Sequence, residues 1–223
     1  MIRLRDIHFR YNSRYVLSGL NFAVNPGDRI ALLGPNGSGK TTLSHIIMGL
    51  LAPEAGEVEI FGKLRRTEPD FQDIRGRIGF LFQDADDQLF CPTVLEDVAF
   101  GPLNLGKSSE EAKRIVRDTL AALKLDGFEE RITYQLSGGE KRLVSLATVL
   151  AMAPEILILD EPTSGLDEAT TERLAEILNE SALSYILISH DLDFVRKTTN
   201  KAVTMRDLNS NGTAREPIHS RVA

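Results

Sequence analysis

Ile30-Ala31-Leu32-Leu33-Gly34-Pro35-Asn36-Gly37-Ser38-Gly39-Lys40-Thr41-Thr42 is the stretch that decides the fold of this 223-residue chain. Its four leading apolar residues read as a buried strand of a parallel sheet. The glycines that follow let backbone N–H groups turn inward toward a phosphate, and a helix opening at Lys40 presents the positive end of its dipole to the same anion. Lys40 is expected to reach the β- and γ-phosphates, and the Thr41 hydroxyl to ligate Mg²⁺. Leu43, Ile46, Ile47 and Leu50 keep the spacing of one helical face, and Pro53 lies beyond the end. Strand, loop and helix in this order predict a site for a nucleoside triphosphate. A Gly-rich turn that only caps a helix is the blander reading.

Three further apolar runs, Ile78 to Phe82, Ile156 to Leu159 and Tyr185 to Ile188, read as strands of the same kind. Each is followed by a polar residue with chemistry to offer: Gln83, Asp160 and His190. Ligands bind at the carboxyl ends of strands in open α/β sheets, so these coincidences point to one site. Residues from about Ile2 to Gly62 look strand-rich. Residues 93–152 carry no strong strand signal but hold three capping boxes, Thr93-x-x-Glu96, Ser108-x-x-Glu111 and Ser137-x-x-Glu140. The pattern predicts an α/β fold: a RecA-like parallel sheet of the P-loop NTPase kind, an N-terminal antiparallel β part and an inserted α-helical subdomain. The expected division is a sheet core of 1–83 and 153–206, a helical subdomain of 84–152 and a polar tail of 207–223.

Composition bounds the rest. Apolar residues make up 42% and charged residues 26%, as in an ordinary globular protein with room for a sizeable core. A net charge of −6 disfavours nucleic acid as the main partner, because phosphate backbones are held by Lys and Arg. The single cysteine, Cys91, allows no internal disulfide and suits a reducing cytosol. No apolar run approaches the length of a membrane span.

Between the loop and Asp160-Glu161-Pro162 lies Leu136-Ser137-Gly138-Gly139-Glu140. With this segment added, the chain closely resembles the ATP-hydrolysing subunit of ATP-binding-cassette (ABC) transporters, from about Ile2 to Met205. The resemblance implies that Asp160 sits near Mg²⁺ and that Glu161 polarises the attacking water as general base. It implies that His190 contacts the γ-phosphate and that Gln83 meets Mg²⁺ and water. Ser137, Gly138, Gly139 and Glu140 would face the γ-phosphate held by the opposing subunit of a head-to-tail dimer. Family members often carry Gln at position 140; a capping box would turn the Glu140 carboxylate back toward its own backbone. Tyr11 would stack on adenine, although a tyrosine in a sheet also serves simple packing. Asp167 would lie in a dimer-contact loop, and it is equally placed to cap the helix through Leu174 and Ile177.

Among ABC proteins, DNA-repair members insert long coiled coils before the signature, and translation-associated members carry two cassettes. Neither fits a chain with each motif once and a short helical insertion. A transport ATPase is expected. Phe82 to Phe90, followed by Pro92 to Pro102, resembles the energy-coupling-factor importers, which take up cobalt, nickel, biotin or other vitamins. Two departures stand out: Ala85 replaces a usual Pro, and many members extend further at the C-terminus. Asp86, Asp87 and Gln88 would couple the ATPase to a membrane subunit, with acids outward and Leu89 and Phe90 packed inward. The expected assembly is a homodimer with integral-membrane partners on the cytoplasmic face of the membrane. An importer served by a substrate-binding protein is the alternative, and a non-transport ABC ATPase a more remote one.

Overall fold

The computed structural model describes residues 1–209, which fall into two compact units. The first comprises residues 1–75 and 182 onward, the second residues 76–181.

In the first unit, β1 (Ile2–Tyr11) and β2 (Arg14–Val24) form an antiparallel hairpin, and β4 (Ala55–Ile60) pairs with the other edge of β1. β5 (Lys63–Arg65) adds to β4, giving the order β2-β1-β4-β5. Alternation makes this sheet: Ile2, Leu4, Ile7 and Phe9 of β1 are buried, and the register sets Leu4 opposite Phe22 and Val58. The second sheet element is parallel. β3 (Arg29–Leu33) runs between β8 (Ser184–Ile188) and β9 (Lys201–Thr204), with Ile30 opposite Ile186. β3 and β8 are buried nearly end to end, as expected of apolar runs without alternation. α1 (Lys40–Ile47) buries Leu43, Ile46 and Ile47. Leu50 continues their spacing but lies beyond the helix end and is 51% exposed. The unit is completed by α2 (Glu68–Gln72), α7 (Leu192–Thr198) and α8 (Met205–Asn209).

In the second unit, β6 (Ile78–Leu81) pairs in parallel with β7 (Ile156–Asp160), Leu81 opposite Leu159. α3 (Val94–Asn104), α4 (Ser109–Ala122) and α5 (Gly138–Leu150) begin at the three capping boxes read from the sequence, each with both reciprocal bonds present. α6 (Glu168–Glu180) begins at Asp167. α5 packs against α3, α4 and β6, and it buries Leu143, Val144, Leu146 and Ala147. That packing explains why the division departs from the expected boundaries at 83 and 153. α5 shares its core with β6, so the compact unit takes in that strand together with the helices. The expected tail from Asp207 starts too early, since Asp207 to Asn209 belong to α8; residues 210–223 lie outside the described residues.

Candidate active site

The phosphate loop leaves β3 and enters α1 within the first unit. Its Gly39 is the N-cap of α1 at φ 102°, with no side-chain cap, and a Cβ there would lie 2.9 Å from Leu17 and Val16. Only glycine fits that conformation and that space. The first-turn amides therefore have no side chain from the N-cap competing for them. Lys40 is nearly buried, and its ammonium donates to the Gly34 and Pro35 carbonyls at 2.7 and 3.2 Å, curling over the loop. The Ser38 hydroxyl is buried without a hydrogen-bond partner. An orphaned hydroxyl, a lysine and uncapped amides form a cradle whose chemistry suits an oxyanion. Thr41 is exposed at the same helix start, and Thr42 is buried behind it. Gly37 has positive φ in the loop. Asn36 Oδ1 lies 3.0 Å from His190 Nε2, so the loop and the end of β8 meet, with the ring donating in its Nε2–H tautomer. Tyr11 ends β1 half-exposed, its ring edge-on to Phe9 at 5.0 Å, which leaves a face for a flat ligand.

The second unit carries its own group of candidate residues. Asp160 is the buried last residue of β7. Glu161 follows at φ 46°, a left-handed conformation that a non-glycine residue adopts at a cost of about 1 kcal/mol or more. Gln83 follows β6 and is exposed. The signature segment opens α5: the Ser137 hydroxyl accepts from the Glu140 amide at 3.3 Å, and the Glu140 carboxylate accepts from the Ser137 amide at 2.8 Å. Arg131 completes this turn, donating to Glu140 at 2.7 Å while its guanidinium stacks 4.2 Å from the Phe128 ring centre. The Ser137 amide first, then Arg131, hold the Glu140 carboxyl below the usual carboxylate range. Asp167 accepts from the Thr170 amide at 2.7 Å as the cap of α6.

The segment after Gln83 corrects the expectation that Phe90 packs inward, and it engages the Gln88 side chain within its own unit. Gln88 turns inward: its amide donates to the Ser145 carbonyl and the Thr148 hydroxyl, both at 2.9 Å, and accepts from the Phe82 amide at 3.2 Å. It is a strut between the end of β6 and α5. Phe90 turns outward, 65% exposed, where it meets Phe100 edge-on at 4.9 Å. A three-residue 3-10 turn at Ala85–Asp87 shifts the phase that a longer helix would have kept. Asp86 and Asp87 are exposed as expected, and Asp86 pairs with Lys141 at the start of α5.

Two residues escaped the sequence reading. The sequence reading does not touch on Arg131, which the fold sets against Glu140. Arg142 is 3% exposed and donates to the backbone carbonyls of Phe82, Asp160, Glu161 and Pro162. The signal for Arg142 was its place directly before the apolar run Leu143-Val144, where a surface charge is out of step.

The sequence profile of the ABC transporter family matches residues 17–164. An energy-coupling factor transporter ATP-binding protein, EcfA of Methanocaldococcus jannaschii, is 42% identical over 212 residues, covering 93% of this chain and 76% of EcfA. The structure of cbiO1 from Clostridium perfringens, part of the ABC transporter complex cbiONQ, superposes with a TM-score of 0.82 at 32% identity, covering 91% of this chain and 83% of cbiO1. The dimeric cassette MJ0796, in a post-hydrolysis state bound to ADP and phosphate, superposes with a TM-score of 0.83 at 28% identity over 96% and 97% of the two chains. The chain belongs to the ABC transporter family, as one of its ATP-hydrolysing subunits.

Proposed function

We propose that this chain is the ATPase of an energy-coupling-factor importer, driving uptake of a metal ion such as cobalt or nickel, or of a vitamin such as biotin. The likeness to EcfA over nearly the whole chain carries this reading, and the likeness to cbiO1 supports it. Gly34 to Thr42 bind the triphosphate, Tyr11 stacks on the base, and Lys40 neutralises the β- and γ-phosphates. Glu161 takes the proton of the attacking water, while Gln83 and His190 orient that water and the γ-phosphate. Among the described residues no group of three or more His, Cys, Asp or Glu side chains is arranged to hold a metal. The donors on offer, the Thr41 hydroxyl, the Asp160 carboxylate and the Gln83 amide, are hard oxygens, and they suit Mg²⁺ that arrives with the nucleotide's phosphates. Mg²⁺ supplies charge neutralisation on the γ-phosphate.

Two copies would act head to tail, each lending Ser137, Gly138, Gly139 and Glu140 to the other's nucleotide, with Asp167 near the contact. Gly138 supports this arrangement. A Cβ at Gly138, the first residue of α5, would meet nothing within 4 Å, so packing within the described residues does not call for glycine there. Something outside the chain's own fold would then require the small residue. No helix among the described residues is long and apolar enough to cross a membrane; on this reading the spanning parts are other chains, with this one at the cytoplasmic face. The test is co-purification of the tagged chain from detergent-extracted membranes, with metal analysis and mass spectrometry of the small molecules retained. Membrane proteins carrying cobalt, nickel or a vitamin are expected. Co-purification with a soluble substrate-binding protein would favour the alternative class of importer.

A further inference from the structure

A buried guanidinium is costly unless its donors are met, and the donors of Arg142 are spent on backbone carbonyls. Nε donates to Pro162 at 3.1 Å, Nη2 to Asp160 at 3.0 Å and also to Glu161, and Nη1 to Phe82. The Asp160 carbonyl belongs to the peptide before Glu161, and the Glu161 carbonyl to the peptide after it. One planar fork therefore grips both peptides that set the backbone of Glu161, the residue held at φ 46°. The Phe82 carbonyl belongs to the peptide that leads into Gln83, so the same fork reaches the end of β6. Asp160, Asp84 and Glu161 surround it with negative charge, which offsets the burial that disfavours the cation.

Resting on the reading of Glu161 as the general base, we propose that Arg142 is the positioning residue of the ATPase reaction. It fixes the left-handed backbone that aims the Glu161 carboxylate and holds Gln83 in register with it. A lysine in its place would keep the charge and most of the stem but would lack the planar set of donors that meets several carbonyls at once. An unheld Glu161 would relax toward ordinary backbone conformations and carry its carboxylate away from the water.

The experiment compares Arg142→Lys and Arg142→Gln in the full chain, each with and without Glu161→Gln, using MgATP turnover, nucleotide affinity and thermal melting. Arg142→Lys is expected to lower kcat by about a hundredfold, the scale of a misplacement near 1 Å. ATP affinity, set on the other unit by the phosphate loop, should stay within about threefold of wild type. In the Glu161→Gln background the same substitution should cost no more than about twofold, because a base already absent cannot be misaimed. Arg142→Gln, which keeps only two N–H donors and loses both the charge and the reach, should lower kcat at least as far as lysine does, and it carries the test if the lysine chain does not fold. A kcat within threefold of wild type for a folded Arg142→Lys chain would overturn the proposal. So would an equal hundredfold loss with Glu161→Gln, which is what general destabilisation would give. Near-normal turnover by Glu161→Gln alone would overturn the base assignment itself, whatever Arg142→Lys does.

Discussion

Glu140 sets a carboxylate where the proposed partner site presents a γ-phosphate, and Arg131 is the local answer to that repulsion. The pair is two-pronged, at 2.7 and 3.4 Å, and the cation is further held by stacking on Phe128. Glutamine at 140 would keep the bond to the Ser137 amide without needing the arginine. Arg131→Ala should therefore lower kcat/KM for ATP by about five- to tenfold, close to 1 kcal/mol of unscreened repulsion. Glu140→Gln on its own should leave turnover near wild type, and the double variant should recover most of the loss. Steady-state kinetics of the four chains decides the matter. Independent, multiplying effects would show that the two side chains do not act as a unit. The residue scale is also where sequence reading ran shortest. Glu140 could be expected to fold back on its own amide, because a capping box is local. Neither Arg131 nor Arg142 could be assigned a partner, because their contacts join residues that only the fold brings together.

Helix starts are local in the same sense, and the elements were accordingly the most legible part of the chain. Thr93, Ser108 and Ser137 each cap a helix through the reciprocal bonds that Ser/Thr-x-x-Glu spells out. The uninterrupted apolar runs became buried parallel strands for the same reason that no polar residue interrupts them. Phe90 failed because its direction depends on a single 3-10 turn, a shift too small for any periodicity to show. α4 offers a clean measurement. Ser108 accepts from the Glu111 amide at 3.3 Å, and the Glu111 carboxylate accepts from the Ser108 amide at 3.0 Å. Ser108→Ala should lower unfolding free energy by about 1 kcal/mol, read as a lower urea midpoint at unchanged slope. The pH dependence has a definite sign. The Ser108 amide, then its hydroxyl, hold Glu111 below its ordinary value. A depressed carboxylate contributes stability that is present above its unfolded-state pKa and is lost as pH falls through the folded value. Glu111→Gln should thus lower the urea midpoint above about pH 5 and make little difference in strong acid. An equal effect of Glu111→Gln at both ends of that range would take the carboxylate out of the cap.

At the scale of the whole molecule, the proposed reading divides the work of one site between two copies. Lys40→Ala chains keep an intact Ser137, and Ser137→Arg chains keep an intact Lys40. Mixed dimers should regain about one working site, and mixed dimers proven by tag capture yet inactive would argue against sharing. Coupling to the membrane would be a separate property, and the face after Gln83 is the surface we propose for it. Asp86 is engaged by Lys141, so reversing its charge would also disturb the start of α5 and blur the result. Asp87 is the better probe: it is exposed on the 3-10 turn, on the same short segment that turns Phe90 outward against Phe100. An acid beside an exposed aromatic pair fits a partner helix that presents arginine, through charge-assisted bonds and apolar contact. Asp87→Lys should leave MgATP turnover of the isolated subunit within about twofold of wild type, as a surface change away from the nucleotide groups should. In the assembled complex the same change sets like charge against like, and uptake of labelled cobalt, nickel or biotin should fall at least about tenfold. Replacing the partner helix's arginine with glutamate should restore part of that uptake. Normal uptake by the Asp87→Lys complex would make this face a solvated acidic turn and would remove the coupling role from Asp86 and Asp87 together.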